Sequence, residues 1–251
     1  MQNLKRAIQE DINNPIDAAH LFIQNAKVDE FKQRAHNAAT GNKFTINAQD
    51  SVIGAISPEL RNKILRQIPN DPRKTKQLAS TLCLAEGERT HLVMNVRTED
   101  GMTNGAGNVV KLVQLHQQTK PSGIVWVQFD HSDVGQKTRN EKRHLYVQGI
   151  EHTWTPVNPV TTQFAVGRNR TAQVVRKQFP LRPAAAKTIH RSQGDTDSRI
   201  VVDFSTRNTI PHIHYVGLSR VTAIEGLYIS DLCESKIAVN PDGEIKNNCK
   251  T

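Results

Sequence analysis

The chain has 251 residues, with 33 Lys+Arg against 24 Asp+Glu and a formal net charge of +9 at pH 7. Hydrophobic residues make up 37% and aromatics 5%, and no apolar run approaches the ~20 residues that a membrane helix needs. The opening Met1-Gln2-Asn3-Leu4-Lys5-Arg6 lacks the apolar core of a signal peptide. Collagen, a helical membrane span, wholesale disorder and a secreted disulfide scaffold are thereby excluded; a soluble, basic, intracellular protein of one or two domains is expected.

His20–Gln24 reads as a short buried strand, ended by Asn25 as helix N-cap, with a helix over Ala26–Asn37. In the next helix Ser57 is the cap and Pro58 takes the first turn, while Leu60, Ile64, Leu65 and Ile68 share one apolar face. Polar residues Pro69–Lys76 break it. From Leu78 to about Val175 the period becomes that of strands. Leu78–Leu84 and Thr90–Val96 flank a turn at Glu86-Gly87-Glu88, Asn104-Gly105 is a turn, and Val109–Leu115 and Ile124–Phe129 follow as strands. Pro183 then opens a helix through Ala184–His190, stopped at Gly194. Arg199–Phe204 reads as a buried strand, His214–Val221 as a helix and Leu227–Ser230 as a strand after Gly226. Strand–helix alternation at both ends, with β-rich sequence between, suggests one α/β domain interrupted by a small β insertion.

Cys83, Cys233 and Cys249 are too scattered for a Cys-x-x-Cys pair, which argues for reduced thiols. No zinc site is expected: His212-x-His214 splits two imidazoles across a helix, with no cysteine beside them. Between Arg168 and Arg199 lie Arg168, Arg170, Arg176, Lys177, Arg182, Lys187, Arg191 and Arg199, against only Asp195 and Asp197. Such a stretch suits phosphate contact, although a solvated surface accounts for it equally well.

The densest polar segment is Thr188-Ile189-His190-Arg191-Ser192-Gln193-Gly194-Asp195-Thr196. Its hydroxyl, imidazole, guanidinium and amide groups offer donors to successive phosphate oxygens, and Gly194 allows close backbone approach. A polar helix end capped by glycine is the bland alternative. A second segment, Tyr215-Val216-Gly217-Leu218-Ser219-Arg220-Val221-Thr222, shifts that balance. Together the two resemble motifs V and VI of superfamily-one, RecD-like DNA helicases of the Pif (petite integration frequency) type, including their Helitron relatives. Arg191 stands where the family's motif V carries lysine, and Gly217 where motif VI carries alanine. Gln24-Asn25-Ala26-Lys27-Val28-Asp29-Glu30 resembles motif IV, and Gly101-Met102-Thr103-Asn104-Gly105 the entry to the family's barrel insertion. The ordered set covers most of residues 20–232.

The resemblance implies a RecA-like second motor domain, a mostly parallel sheet with flanking helices, interrupted by a Src-homology-like β-barrel. The implied division is 1–104 for the first part of the motor domain, 105–179 for the barrel, 180–234 for its remainder and 235–251 for a tail. Arg220 is implied to be the catalytic arginine finger on ATP. A guanidinium is permanently charged and bidentate, and such fingers contribute about 10³–10⁵-fold in phosphoryl transfer. Gly194 and Asp195 are implied to approach the nucleotide, and Asn25, Lys27, Thr188, His190, Ser192 and Gln193 to contact single-stranded DNA. Trp126, Phe129, Tyr146 and Trp154 offer a base-stacking residue, with core packing expected for most of them.

No Gly-x-x-x-x-Gly-Lys-Ser/Thr occurs in the sequence. ATP and Mg²⁺ are therefore expected to be bound mainly by a first RecA-like domain that this chain lacks. The chain reads as the C-terminal half of a helicase, inactive alone, whose partners are single-stranded DNA and an ATPase half. No membrane partner is expected, and the compartment is the nucleus or the mitochondrion. A non-catalytic single-strand binder left from a transposon-type helicase is the alternative.

Overall fold

The computed structural model describes residues 18–54, 57–167, 172–194, 199–205 and 213–230. They form two compact units, one from residues 1–31 with 186–251, the other from residues 32–185.

The first unit is built on four parallel strands: β1 (Ala19–Phe22), β12 (Ala186–Thr188), β13 (Ile200–Asp203) and β14 (Leu227–Ser230), in the order β12-β1-β13-β14. Alternation along β1 sends side chains to both faces of the sheet. Ala19 and Leu21 join a cluster with Ile189, Ile200, Val202, Ile213, Leu227 and Ile229. Phe22 instead packs with Val28, Phe31 and Ala186, and the buried His20 ring stacks on Phe31 at 4.0 Å. Val28 and Phe31 lie on α1 (Asn25–Ala38), which begins at Asn25 itself as the Val28 N–H bonds to Gln24 O. Helix α4 (Ile213–Leu218) covers the other face closely: a Cβ on Gly217 would stand 3.1 Å from Val202 Cγ1.

The segment from Pro183 departs from expectation. Leu181–Pro183 is strand β11, Ala186–Thr188 is strand β12, and only Ile189–Ser192 coils, as a single 3₁₀ turn. Alanine's helical preference amounts to a few tenths of a kcal/mol per residue. Against it stand parallel pairing of Ala186, Lys187 and Thr188 with His20, Leu21 and Phe22, and burial of Ala185, Ala186 and Ile189.

The second unit is antiparallel throughout. β11 joins the sheet β11-β5-β6-β7-β8, with β5 (Arg89–Leu92), β6 (Gly107–Leu115), β7 (Gly123–Phe129) and β8 (Thr155–Val157). β3 (Gln49–Val52), β10 (Ala172–Gln178) and β9 (Val160–Val166) form a second sheet, and β2 (Lys43–Asn47) pairs with β4 (Thr81–Ala85). Strand pairing thus reaches well beyond the 105–179 segment. The Glu86-Gly87-Glu88 turn does not close a β4–β5 hairpin either, because β4 pairs with β2 and β5 with β6. Helix α2 (Pro58–Arg66) starts as expected, with the Leu60 N–H donating to Ser57 Oγ. Its apolar face is only partly used. Ile64 and Ile68 pack on Phe164, Val166 and Val174, while Leu60 is 47% exposed, because a helix this short covers the small sheet with its second half alone. Helix α3 (Gln136–Glu141) follows β7.

Candidate nucleotide and nucleic-acid interface

In parallel α/β sheets ligands bind beyond the carboxyl ends of the strands. Register places Phe22 beside both Thr188 and Asp203, and Asp203 beside Ser230, so all four strands finish on one line. The segments leaving that line include the two motif-like stretches at Gln24–Glu30 and Thr188–Gly194. The motif-like segments around Ile189 and Gly217 also meet within this unit, since Gly217 of α4 faces Ile189 of the 3₁₀ turn.

Thr188 and Ser192 are buried, and their hydroxyls serve the turn itself. Thr188 Oγ1 accepts the Arg191 N–H at 3.4 Å, and Ser192 Oγ donates to Ile189 O at 2.7 Å. His190, Arg191, Gln193 and Gly194 are exposed. Gly194 has φ +88°, and among the described residues beyond its chain neighbours no atom lies within 4 Å of where a Cβ would sit. Asp195 lies outside the described residues, as do Arg168, Arg170, Asp197, His212, Cys233, Cys249 and the 235–251 tail.

Asn25 is exposed at the first position of α1. Lys27, two residues on, is turned toward β13: Nζ donates to Ser205 O at 3.1 Å, hydrogen-bonds Ser205 Oγ, and stands 3.5 Å from Asp203 Oδ2. Asp203 Oδ1 also accepts the Ser205 N–H at 2.7 Å. From the sequence, no partner carboxylate is identifiable for Asp203 on its apolar strand. The Asp-x-Ser turn was the available signal, since such carboxylates bond the backbone two residues on; the lysine comes from another element and only folding supplies it.

Arg220 is half-buried just past α4. Its Nε donates to Val216 O at 3.0 Å and Nη2 to Ser219 Oγ at 2.8 Å, so it caps the carbonyl end of its own helix. Nearby, burial lowers the His214 pKa; that ring tilts against Phe204 at 4.6 Å. Among the described residues no three His, Cys, Asp or Glu side chains gather into a group that could hold a metal ion.

Of the aromatic candidates in the other unit, Trp126 is fully buried and Phe129 nearly so, while Tyr146 and Trp154 are half-buried.

No protein-family model matches this sequence. It is similar to the ATP-dependent DNA helicase PIF1 of Emericella nidulans, 26% identical over 264 residues that cover 92% of this chain and 33% of that protein. The fold is similar to Pif1 helicase from Candida albicans, with TM-score 0.61 and 22% identity, covering 96% of this chain and 51% of that one. It is similar also to Bacteroides Pif1 in complex with ADP-AlF3 and ssDNA, with TM-score 0.54 and 19% identity, covering 95% and 46%. The chain thus spans a third of the curated relative and about half of the solved ones. Over nearly its whole length this chain is similar to part of a Pif-type helicase, and its fold is α/β with a parallel sheet.

Proposed function

We propose that the chain is the second motor domain and insertion of a Pif-type DNA helicase, holding single-stranded DNA beyond the carboxyl edge of its parallel sheet. The observation that carries this reading is the common finishing line of Phe22, Thr188, Asp203 and Ser230 beneath the motif-like segments. Exposed Asn25, His190, Arg191 and Gln193 are the side chains available to a sugar-phosphate strand. Thr188 and Ser192 act one step back by shaping the turn that presents them. Lys27 neutralises Asp203, so that the carboxylate does not repel a strand at this edge. The 32–185 unit is the counterpart of the family's barrel insertion.

The residues present fit a nucleotide phosphate: Gly194 brings no Cβ between backbone and ligand, and Arg220 is a permanent cation at the end of α4. ATP, when bound, supplies the phosphoryl group whose transfer drives movement along DNA. With ATP bound, Arg220 would set its guanidinium against the charge that develops on that group. Asp195 belongs to the same approach. In this reading Mg²⁺ and the phosphate cradle belong to a first RecA-like domain, acting in the nucleus or mitochondrion.

Mixing the chain with a Pif-type ATPase half should produce DNA-stimulated hydrolysis that falls about 10³-fold or more in Arg220→Ala. Hydrolysis unchanged in that variant overturns the finger assignment. Single-strand binding by the chain with no response to nucleotide or to the ATPase half instead favours a non-catalytic binder.

A further inference from the structure

The β-rich unit carries an aromatic assembly that the helicase reading leaves unused. Three successive turns fold residues 143–154 back on themselves, closed by bonds from Tyr146 N to Arg143 O, Ile150 N to Val147 O and Trp154 N to Glu151 O. The fold-back brings the His152 and Tyr146 rings into a stack, with centroids 5.4 Å apart and planes 26° from parallel. Tyr146 meets buried Trp126 edge-on at 5.1 Å, and its hydroxyl donates to Trp154 O at 2.6 Å. Trp126 is anchored in turn by a 2.7 Å bond from its Nε1 to Gln114 Oε1. A column of rings therefore rises from the core and ends in His152, which is exposed.

We propose that His152 is a stacking platform for an unpaired nucleobase, with Arg143 contacting a neighbouring phosphate. A ring already fixed on its inner side loses little conformational freedom when a base covers its outer side. Val147, 61% exposed on the same folded segment, adds apolar surface for a sugar or base edge. Arg143 is exposed, and among the described residues its guanidinium bonds the neutral Asn140 Oδ1, from Nη2 at 3.0 Å, and pairs with no carboxylate. Arg139, by contrast, is committed to Val134 O and Thr155 Oγ1. Glu141, the nearest upstream carboxylate in sequence, is already taken up by Arg97 at 2.7 Å. Stacking on one exposed ring needs a free base face, which single strands have and intact duplexes lack except at their ends. The ligand class is therefore single-stranded nucleic acid, bound without sequence preference.

The test is fluorescence anisotropy of a labelled oligothymidylate titrated with the full chain at several salt concentrations. His152→Ala should weaken binding roughly 5- to 150-fold with no change in salt slope, and His152→Phe should keep wild-type affinity. Arg143→Gln should flatten the slope by about 0.7, the loss of one phosphate contact on a single strand. A blunt duplex of equal length, with free base faces only at its two ends, should respond much less to His152→Ala. Unchanged affinity in His152→Ala overturns the proposal, as does an equal loss in His152→Phe, an equal effect on duplex, or no wild-type binding at low salt. Substituting His190 and Gln193 separates this site from the carboxyl-edge reading: binding lost only there sinks the stacking site, and binding lost only at His152 sinks the edge contacts.

Discussion

Arg176 is among the largest fully buried side chains of the molecule, and it is charged. Asp50, its cross-strand partner on β3, accepts from Nε and Nη2 at 2.7 Å each, while Nη1 donates to Leu78 O at 3.0 Å and Thr75 Oγ1 at 3.3 Å. Removing one partner of such a pair leaves an uncompensated buried charge. Asp50→Ala should therefore cost about 3–5 kcal/mol in denaturant unfolding; a cost below ~1 kcal/mol would show that water reaches the guanidinium. Glu88 poses the opposite problem. Burial pushes its carboxyl pKa up, against the His36 hydrogen bond and the Ala85 N–H that pull it down, and its Oε1 has no hydrogen-bond partner. The folded state thus holds this proton more tightly than the unfolded chain does. Its contribution is fully present below pH 4.5 and is lost as pH rises through the folded value. Glu88→Gln should flatten that part of the stability–pH curve, and an unaltered curve would mean that the carboxyl ionises freely.

At the scale of elements, helix α3 shows how a short segment is held from outside. Its own preceding residue, Gly135, supplies no side-chain cap. Asp100, buried and 37 residues upstream of Lys137, accepts the Lys137 and Thr138 N–H groups at 2.8 Å each and the Thr138 hydroxyl at 2.6 Å. Burial alone would raise the Asp100 pKa, but the Thr138 and Lys137 hydrogen bonds outweigh it and hold it below 3.8. This contribution is present above pH 3.8 and is lost as pH falls through the folded value. Asp100→Ala should cost roughly 0.5–2 kcal/mol, with hydrogen exchange at the 137 and 138 amides rising first. Gly123 is a second such point. Its φ is +101°, and a Cβ would come within 2.1 Å of Gln114 O across the β6–β7 ladder. Gly123→Ala should therefore lower the melting temperature by several degrees, and an unchanged value would mean that the ladder slips to make room.

At the scale of the whole molecule, the net charge of +9 bears on binding more than on folding. Single-strand affinity should fall with salt at a slope of about −0.7 per phosphate neutralised. A slope near zero would assign the excess charge to solvation alone. Much of the fold was legible residue by residue. Leu21-Phe22-Ile23, the Ser57-Pro58 helix start, Asn104-Gly105 and Arg199–Phe204 each announce a local element, because caps, turns and buried runs are set by near neighbours in sequence. So was the likeness to Pif-type helicases, since phosphate chemistry demands particular side chains at short spacing. Tertiary structure decided the rest. Whether Ala184–His190 coils or extends depends on β1 lying beside it, about 165 residues away in sequence. Whether β4 closes a hairpin depends on β2 reaching it first. Lys27 meets Asp203, Asp100 caps α3, and His152 crowns a column rooted at Trp126, all through contacts between residues far apart along the chain. Such pairings follow from closing long loops around a shared core, which no short-range pattern encodes.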